Sequence, residues 1–483
     1  MKRLLADNEL EKLSSYVALQ MGLYFPPSKW QSLEQAFCKA AEEMGFNDLQ
    51  ECVRWFMSAP PAKELFESMA SYLTIGETYF LREARCFEVL EQQIIPDIIK
   101  KRHGKEQRLR VWSSGCSTGE EPYSIAILLH KMRAILRDWD ISILATDINP
   151  VALRKAMDGE YRQWSFRNTP AGFKESYFTE SEDGRFTLLP AIKEMVTFSS
   201  FNLAEECYPS LVTGTNAIDV IFCRNVLMYF TPQLAAQVVA RYRRCLLDGG
   251  WLFVSPCETS NPVFSGFRPI NYPDAILYQK SHRGAAPAAQ IMGCSSAVPA
   301  PPVQEIVVPS PLLRQEYHDE PSAYRRALTL YEQGAYREAE EIVLLQLTLD
   351  TNDTASLALL CRIYANEGRL SEALGVSGRA IAADKLSSGL HYLRAVILQE
   401  LGMNSEASAS LKKALYLDQN LVMAHFTLAA LEQRKGKVKE SRRHFNVALS
   451  LLGNCHPDDI IPESEGMLAG RLTEIIRTTA ARR

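Results

Sequence analysis

The stretch Arg110-Val-Trp-Ser-Ser-Gly-Cys-Ser-Thr-Gly-Glu-Glu-Pro-Tyr-Ser124 stands between two segments of different periodicity. Residues 109–112 alternate apolar and basic side chains, which is typical of a strand that enters a sheet. The apolar run over residues 124–130 predicts a buried helix. Between the two, Gly115 and Gly119 allow a ligand to approach the backbone closely. We interpret the stretch as a strand-to-helix turn at a binding site.

Two carboxylates, Glu120 and Glu121, occupy the first turn of that predicted helix. A helix N-terminus ordinarily attracts phosphate, but these carboxylates disfavour an anionic ligand and favour a cationic one. A tight turn with a capping acid explains the same residues without any ligand. The stretch alone leaves both interpretations open, and it does not say which of the two glutamates faces the ligand.

The composition excludes several classes of protein. The 483 residues are enough for two to four domains, and the net charge of −4 gives no drive toward nucleic acid or anionic membrane. The N-terminus is not a signal peptide, and no apolar run approaches the roughly 20 residues of a membrane span. Eleven scattered cysteines without a Cys-x-x-Cys pair indicate reduced thiols and no metal site. We expect a cytoplasmic protein.

The periodicity divides the first part of the chain into two units. Residues 1–75 show helical spacing of apolar side chains and predict a helical subdomain. Residues 76–282 alternate strand and helix patterns, which predicts a doubly wound, Rossmann-like α/β domain. A two-residue hairpin signal at Asp183-Gly184 predicts a small β-subdomain over about residues 175–195. Residues 217–223 form the most apolar run and predict the central strand.

Polar residues follow the predicted strands at residues 114–121, Asp147, Asn202 and Arg224-Asn225. In an open parallel sheet the ligand lies beyond the carboxyl ends of the strands. Asp147 follows the glycine turn by one helix, where a carboxylate holds a ribose diol. The same segment also fits a helix N-cap, with Asn149 as the capping residue, and the two roles are compatible.

The last part of the chain is repetitive. Residues 283–320 are rich in Pro and Ala and predict a flexible linker. The glycines then recur at a spacing of 34, at Gly334, Gly368, Gly402 and Gly436. This period is the tetratricopeptide (TPR) pattern and predicts an all-α solenoid of four repeats over residues 321–456. A capping helix and tail are expected in 457–483, with the helix over residues 462–480. The concave face of such a stack binds a protein partner, and a passive spacer is the alternative.

Together these residues closely resemble the CheR-type chemotaxis receptor methyltransferase family. The resemblance covers about residues 10–282. It implies a cytoplasmic enzyme that transfers a methyl group from S-adenosylmethionine to glutamates in the cytoplasmic domain of a methyl-accepting chemoreceptor. The resemblance rests on the motifs at residues 117–124, 145–148, 198–203 and 222–226, followed by Tyr229-Phe230.

The resemblance also implies which residues are catalytic and which bind the cofactor. It places Arg82 and Tyr229 beside the transferred methyl as the catalytic pair. It implies cofactor contacts at Thr78, Arg82, Glu120 or Glu121, Asp147, Asn202, Leu203, Arg224 and Asn225. The chemistry agrees, because S-adenosylmethionine carries a sulfonium and an ammonium but no phosphate. The acceptor carboxylate is already ionised at neutral pH, so no general base is needed.

The chain departs from the family pattern in places. Gly76 stands where the family commonly has Asn, and Pro256-Cys-Glu258 stands where it has His-Ser-Glu. Residues 1–75 hold seven Lys or Arg and ten Asp or Glu, which argues against a basic docking helix. The short hairpin turn at residues 181–185 predicts that the enzyme does not grip a receptor's C-terminal peptide.

The fusion to repeats is similar to methyltransferases of alternative chemosensory pathways, the Wsp biofilm type among them. We expect a monomer whose repeats recruit a protein partner. Two alternatives stay open at this point: a methyltransferase of the same fold with a different substrate, and a TPR scaffold with a degenerate cofactor site. Intact Arg82, Asp147, Asn225 and Tyr229 argue against the scaffold.

Overall fold

A computed structural model describes residues 4–58, 63–104, 106–259, 262–273, 275–281 and 322–480. The N-terminal unit is helical, as the periodicity predicts. Its apolar side chains, among them Leu10, Leu13, Phe37 and Phe56, are fully buried in a core of their own. The helices are α1 (Asp7–Met21), α2 (Trp30–Met44), α3 (Leu49–Met57) and α4 (Lys63–Leu73).

The next unit is an α/β domain. Its helices are α5 (Ala84–Val89), α6 (Ile95–Arg102), α7 (Glu120–Lys131), α8 (Pro150–Asp158), α9 (Phe173–Tyr177), α10 (Pro190–Lys193) and α11 (Pro232–Cys245), and a π-helical turn joins α5 to α6. Its strands are β1 (Arg108–Ser114), β2 (Asp140–Asp147), β3 (Glu160–Tyr161), β4 (Phe178–Glu180), β5 (Phe186–Leu188), β6 (Val196–Ser200), β7 (Ile218–Phe222), β8 (Leu246–Phe253), β9 (Phe267–Tyr272) and β10 (Ala275–Lys280).

The main sheet confirms the predicted fold. Its strand order is β6-β2-β1-β7-β8-β10-β9. Strands β6, β2, β1, β7 and β8 run parallel, and the β9–β10 hairpin adds an antiparallel edge. The strand predicted as central, β7, lies in the middle and every residue of it is buried. A strand covered on both faces has no polar side to alternate with, which explains its continuous apolar run.

The small sheet has the order β3-β5-β4 and is antiparallel. The predicted two-residue hairpin turn at Asp183-Gly184 is wrong. Ser181 donates its backbone N–H to the Arg185 carbonyl (2.8 Å), so three residues separate the paired positions. Gly184 has a φ of +73°, whereas Asp183 is not among the residues of positive φ. A two-residue type I′ turn requires a positive φ at both central residues, and Asp183 does not supply one.

The repeat region folds as predicted into helical hairpins: α12 (Ala323–Glu332) with α13 (Tyr336–Leu349), α14 (Thr354–Asn366) with α15 (Leu370–Ala383), α16 (Ser388–Glu400) with α17 (Asn404–Leu417), and α18 (Val422–Arg434) with α19 (Val438–Leu452). The glycines that recur every 34 residues have φ between +72° and +75° and sit at the turn inside each hairpin. The final helix, α20 (Ala469–Ala480), begins later than the capping helix expected from residue 462.

The linker predicted at residues 283–320 lies outside the described residues. The repeats themselves contact the α/β domain directly: Glu400 at the end of α16 pairs with Arg108 and Arg110 of β1. In the described ranges no helix combines the length and the apolar character needed to cross a bilayer.

The aromatic cluster around Phe80 generates a stability prediction. Phe80 is fully buried, and its ring centroid lies 4.8–5.9 Å from those of Tyr161, Phe166, Phe173 and Phe178. This cluster joins the segment before α5 to the β-subdomain. We expect Phe80→Ala to lower the free energy of unfolding of this domain by about 3–5 kcal/mol, because the cavity cannot collapse between rigid rings.

Urea unfolding followed by near-UV circular dichroism measures this loss. The matched control is Trp164→Ala, because that aromatic side chain is 67% exposed and its loss should cost about 0.5 kcal/mol or less. Equal unfolding midpoints for the two variants would contradict the role given to Phe80.

Candidate functional site

A cavity of about 100 Å³ lies where the parallel strands end and the N-terminal helices meet the sheet. The turn after β1, the ends of β2 and β6, the turn after β7 and the end of α1 all contribute to its wall. Of the predicted site residues, the cavity is lined by Asp147, Asn202, Leu203, Asn225 and Tyr229. Predicted residues from three separate stretches of sequence therefore meet in one place, because parallel strands present their carboxyl ends at one edge of the sheet.

Asp147 is a buried carboxylate at the end of β2. It accepts the backbone N–H of Ser117 at 2.7 Å and that of Asn149 at 2.8 Å. Burial raises the pKa of Asp147 above its ordinary value, and those N–H groups offset only part of the effect. Asn149 caps α8, as predicted, by accepting from Val151 and Ala152. The cap and the acid are thus separate residues, and Asp147 keeps lone pairs for a ligand.

Asn225 lies in the left-handed region, with a φ of +59°. Its backbone N–H donates to Glu258 at 2.9 Å, and its side-chain amide donates to the Ser255 hydroxyl at 3.1 Å. Its Oδ1 atom is buried and has no hydrogen-bond partner among the described residues. A buried carbonyl oxygen without a donor is costly, so this atom marks a position where a ligand donor fits.

Glu121 and Arg224 form a buried ion pair outside the cavity wall. The Arg224 side chain is 2% exposed, and its guanidinium lies 3.1 Å from both Glu121 and Glu83. Glu121 also accepts from the Ser113 hydroxyl at 2.7 Å. Burial raises the pKa of Glu121, and the charge of Arg224 offsets part of that rise. The two predicted contacts neutralise each other here, so their role toward a cofactor stays a prediction.

Glu120 points to a different neighbourhood from Glu121. It accepts from the hydroxyls of Thr118 (2.6 Å) and Ser165 (2.9 Å), and burial raises its pKa. Ser165 lies in the short helical turn between β3 and β4 of the small sheet, so Glu120 ties this turn to the start of α7. The sequence leaves open which glutamate contacts the cofactor. In the structure both carboxylates already bond to other groups of the protein.

Tyr229 lines the cavity, and Arg82 lies near enough for its positive charge to act on the tyrosine hydroxyl. Burial raises the pKa of Tyr229 above its usual value of 10.0, and the positive charge of Arg82 acts in the opposite direction. The Arg82 guanidinium donates to the Glu77 carbonyl at 2.9 Å. Thr78, which lies between Glu77 and Arg82 in the sequence, is half-buried. Gly76, at the start of the segment that carries Thr78 and Arg82, lines the cavity, so this rim segment begins beside it.

The N-terminal helices close the cavity from the other side. The backbone N–H of Tyr24 donates to the Tyr229 carbonyl at 2.7 Å, and the Asn202 amide donates to the Gln20 carbonyl at 3.2 Å. Met21 and Leu23 line the cavity. The sequence pattern of α1 does not indicate this role, because burial in the core of the N-terminal unit already explains its apolar residues.

Glu258 has a structural role that was not predicted, since in the sequence it stands out only as part of a departure from the family pattern. Glu258 is buried and accepts the backbone N–H groups of Asn225, Ser255 and Met228 at 2.9–3.3 Å. It thereby holds the strained turn that presents Asn225 and Tyr229. The available signal is the Ser255-x-x-Glu258 capping box at the end of β8.

Comparison with known proteins identifies the family. The sequence model described as "CheR methyltransferase, SAM binding domain" matches residues 76–272. Chemotaxis protein methyltransferase Cher2 of Pseudomonas putida is 32% identical over 275 residues, which are 56% of this chain and 97% of that relative. The chain belongs to the CheR methyltransferase family. It is an S-adenosylmethionine-dependent protein-glutamate methyltransferase.

A second relative extends into the repeats. The probable biofilm formation methyltransferase WspC of Pseudomonas aeruginosa is 28% identical over 383 residues, which are 78% of this chain and 84% of that relative. Among solved structures, the TPR protein YrrB is 19% identical, with a TM-score of 0.25, over 27% of this chain and 66% of that chain. Because the match to Cher2 takes up nearly all of that relative, the repeats have no counterpart there.

The cavity residues suit the cofactor of the CheR family. S-adenosylmethionine brings two positive charges, one carboxylate and hydroxyl donors. The wall offers the Asp147 carboxylate and the unpartnered Asn225 carbonyl, and the described residues that line it include no Lys or Arg. The cavity is smaller than the roughly 300–1,000 Å³ that is typical of small-molecule sites.

Asp147 generates a prediction about cofactor binding. We expect Asp147→Asn to weaken S-adenosylmethionine binding by about 10- to 100-fold, the size of a hydrogen bond to a charged group. Because burial raises the pKa of Asp147, the carboxylate of the wild type takes up a proton at a higher pH than an ordinary aspartate. The wild-type Kd should therefore rise as the pH falls toward that pKa.

Calorimetric titration at several pH values measures both effects. The Asp147→Asn variant has no carboxylate to protonate, so its Kd should be flat over the same range. Asp183→Asn is the control, because Asp183 lies in the exposed hairpin turn with its side chain 57% exposed. Equal affinity of the Asp147→Asn variant and the wild type would remove Asp147 from the cofactor site.

Proposed function

We propose that this CheR methyltransferase esterifies glutamate side chains in the cytoplasmic domain of a methyl-accepting receptor of a biofilm-type chemosensory pathway. The observation that supports the proposal is that Asp147, Asn202, Asn225 and Tyr229 line one cavity and that the positive charge of Arg82 acts on Tyr229. The similarity to WspC, which extends into the repeats, supports the type of pathway. We further propose that the enzyme acts as a monomer.

Arg82 is proposed to receive the acceptor. A glutamate side chain is ionised at neutral pH and is itself the nucleophile. The guanidinium offers several N–H donors in a fixed fork, and only one of them donates to the Glu77 carbonyl. It can therefore hold the incoming carboxylate at the cavity rim. The contribution of the protein is alignment of the carboxylate, which brings large rate gains when reacting atoms are held in line.

Tyr229 is proposed to complete the alignment as a neutral donor. Because burial raises its pKa above 10.0, its hydroxyl keeps its proton over the physiological range. It can donate to the acceptor or present its ring to a positive charge. S-adenosylmethionine, when bound, supplies the electrophilic methyl group on a sulfonium. Thr78, Asp147, Asn202, Leu203 and Asn225 are the proposed contacts of that cofactor, and Arg224 with Glu120 and Glu121 supports the turn beside it.

The repeats are proposed to bind a protein in addition to the receptor. This proposal comes from the TPR pattern and from the length of the match to WspC, and it does not identify the partner. The face made by the first helices of the hairpins is partly covered by the α/β domain, so a further partner has to use the remaining surface or compete with that contact.

The test is transfer of labelled methyl from S-adenosylmethionine to membranes that contain a methyl-accepting receptor, scored as base-labile methyl ester. We expect Arg82→Ala to lower kcat/KM by about 100-fold or more, since loss of alignment at the reacting atoms has effects of that size. The matched control is Arg85→Ala. Arg85 lies three residues further on and bonds to Glu88 and the Pro273 carbonyl, outside the cavity wall.

Each result separates the alternatives. Transfer by Arg82→Ala at the wild-type rate would end the role given to Arg82. Cofactor binding by the wild type without base-labile label would indicate a different substrate. Absence of cofactor binding would favour a TPR scaffold that has a degenerate cofactor site and functions through its repeats.

A further inference from the structure

The repeats cover the part of the catalytic sheet that β1, β2 and β6 form. In a doubly wound sheet each parallel crossover normally lays a helix on the sheet, but the described connection between β6 and β7, residues 201–217, contains none. A cavity of about 630 Å³ has β1, β2 and β6 on one side and α16, α18 and α20 on the other. The repeat helices therefore stand where crossover helices of the sheet would stand.

The β6–β7 connection is held by the repeats along its length. Leu211 packs into the repeat core, and its backbone N–H donates to Glu465 at 2.8 Å. Asn216 donates to the Ala365 carbonyl of α14 at 3.3 Å. Two independent anchors thus fix the second half of this connection. Its first half carries Asn202 and Leu203, which line the candidate cofactor cavity.

Arg471 of α20 holds that first half. Its guanidinium donates to the Ser200 carbonyl at 2.8 Å and lies 3.2 Å from the Glu205 carboxylate. A further contact at 2.8 Å to Glu474 orients it from its own helix. The Arg471 side chain is 14% exposed. A single guanidinium therefore bonds to the chain on both sides of Asn202 and Leu203.

The fork geometry of arginine explains why one residue can do this. A guanidinium presents five N–H donors in a rigid plane, so it can bond to a carbonyl and a carboxylate at once. Inside the α/β domain, Arg241 of α11 supports the same segment by donating to the Leu203 carbonyl at 3.2 Å. Arg241 and Arg471 approach from different helices, and only Arg471 belongs to the part of the chain beyond the methyltransferase domain.

We propose that Arg471 is a positioning residue for the cofactor site, through which the repeat domain sets the affinity of the methyltransferase for S-adenosylmethionine. It acts through Ser200 and Glu205 and touches neither cofactor nor acceptor. The inference rests on the proposed function, because it takes Asn202 and Leu203 as cofactor contacts. A partner that pulled α20 away from the sheet would weaken cofactor binding without entering the active site.

Cofactor affinity of the full-length protein, measured by calorimetry without receptor, tests the proposal. We expect Arg471→Met to raise the Kd for S-adenosylmethionine roughly tenfold, the size of one lost charge-assisted hydrogen bond. Arg471→Lys keeps the charge but not the forked guanidinium, so its Kd should lie between those of the wild type and the Arg471→Met variant. In methyl transfer, Arg471→Met should raise the KM for S-adenosylmethionine and leave kcat at saturation unchanged.

Two controls separate positioning from simple loss of packing. Arg477→Met alters an exposed arginine on the same helix and should change nothing. Glu400→Gln removes the pair with Arg108 and Arg110 at the amino end of β1. It should lower the unfolding midpoint and leave the Kd unchanged, because β1 begins at the edge of the sheet opposite to the cavity.

The outcomes are distinct from those that test the function. If the wild type itself fails to bind S-adenosylmethionine, the proposed function fails. If the wild type binds and Arg471→Met binds equally well, the positioning role is wrong. Equal weakening by Arg471→Met and Glu400→Gln would also overturn it, since general loosening of the repeats would then explain both. If Arg471→Met does not fold, the Lys variant and its KM carry the same test.

Discussion

The buried guanidinium of Arg224 constrains the whole catalytic centre. It follows β7, the central strand, and lies 3.1 Å from the carboxylates of Glu121 and Glu83. A buried charge is tolerated only with partners, and removal of one partner typically costs about 3–5 kcal/mol. The start of α7 and the segment that carries Arg82 must therefore stay next to the end of β7. The glycine turn, the rim and the turn of Asn225 are held together by this one cluster.

The cavity lies at the junction of two units that have separate cores. The N-terminal helices have their own apolar core, against which Ile148 and Tyr229 of the α/β domain pack. Backbone-directed bonds, such as that from Tyr24 to Tyr229, also join the two units. Interfaces of this kind open more easily than a continuous core. The acceptor and the cofactor are both expected at this same junction.

The repeats add a layer to the enzyme in addition to any partner they recruit. Glu400 shows how the layer is fastened. Burial acts to raise its pKa, yet Arg110 and Arg108 together hold it below the ordinary value. Its ionised form is thus favoured in the folded protein, and the pair contributes stability at neutral pH that is lost as the pH falls through that lowered pKa. The contact is therefore electrostatic as well as apolar.

Several features of the fold could be predicted because they depend on local pattern. The central position of β7 follows from its continuous apolar run, and the Thr231-Pro232 start of α11 and the hairpins of the repeats follow from turn and capping chemistry. The three-residue turn near Gly184 could not be predicted, since the register of a hairpin depends on which residues pair across it. The late start of α20 depends likewise on the bonds that the preceding loop makes.

For the site, the sequence by itself determined the chemical character. The cavity disfavours a phosphate-bearing ligand and has an acid at the end of β2 and amides after the ends of β6 and β7. Only the tertiary structure decided how the charges are shared. It pairs Glu121 with Arg224 and bonds Glu120 to Ser165. It also bonds Glu258 to the backbone of Asn225, and Arg471 to the carbonyl of Ser200. These contacts join residues from 33 to 271 positions apart. Residue spacing carries no information about such partners, because burial and charge balance are properties of the assembled chain.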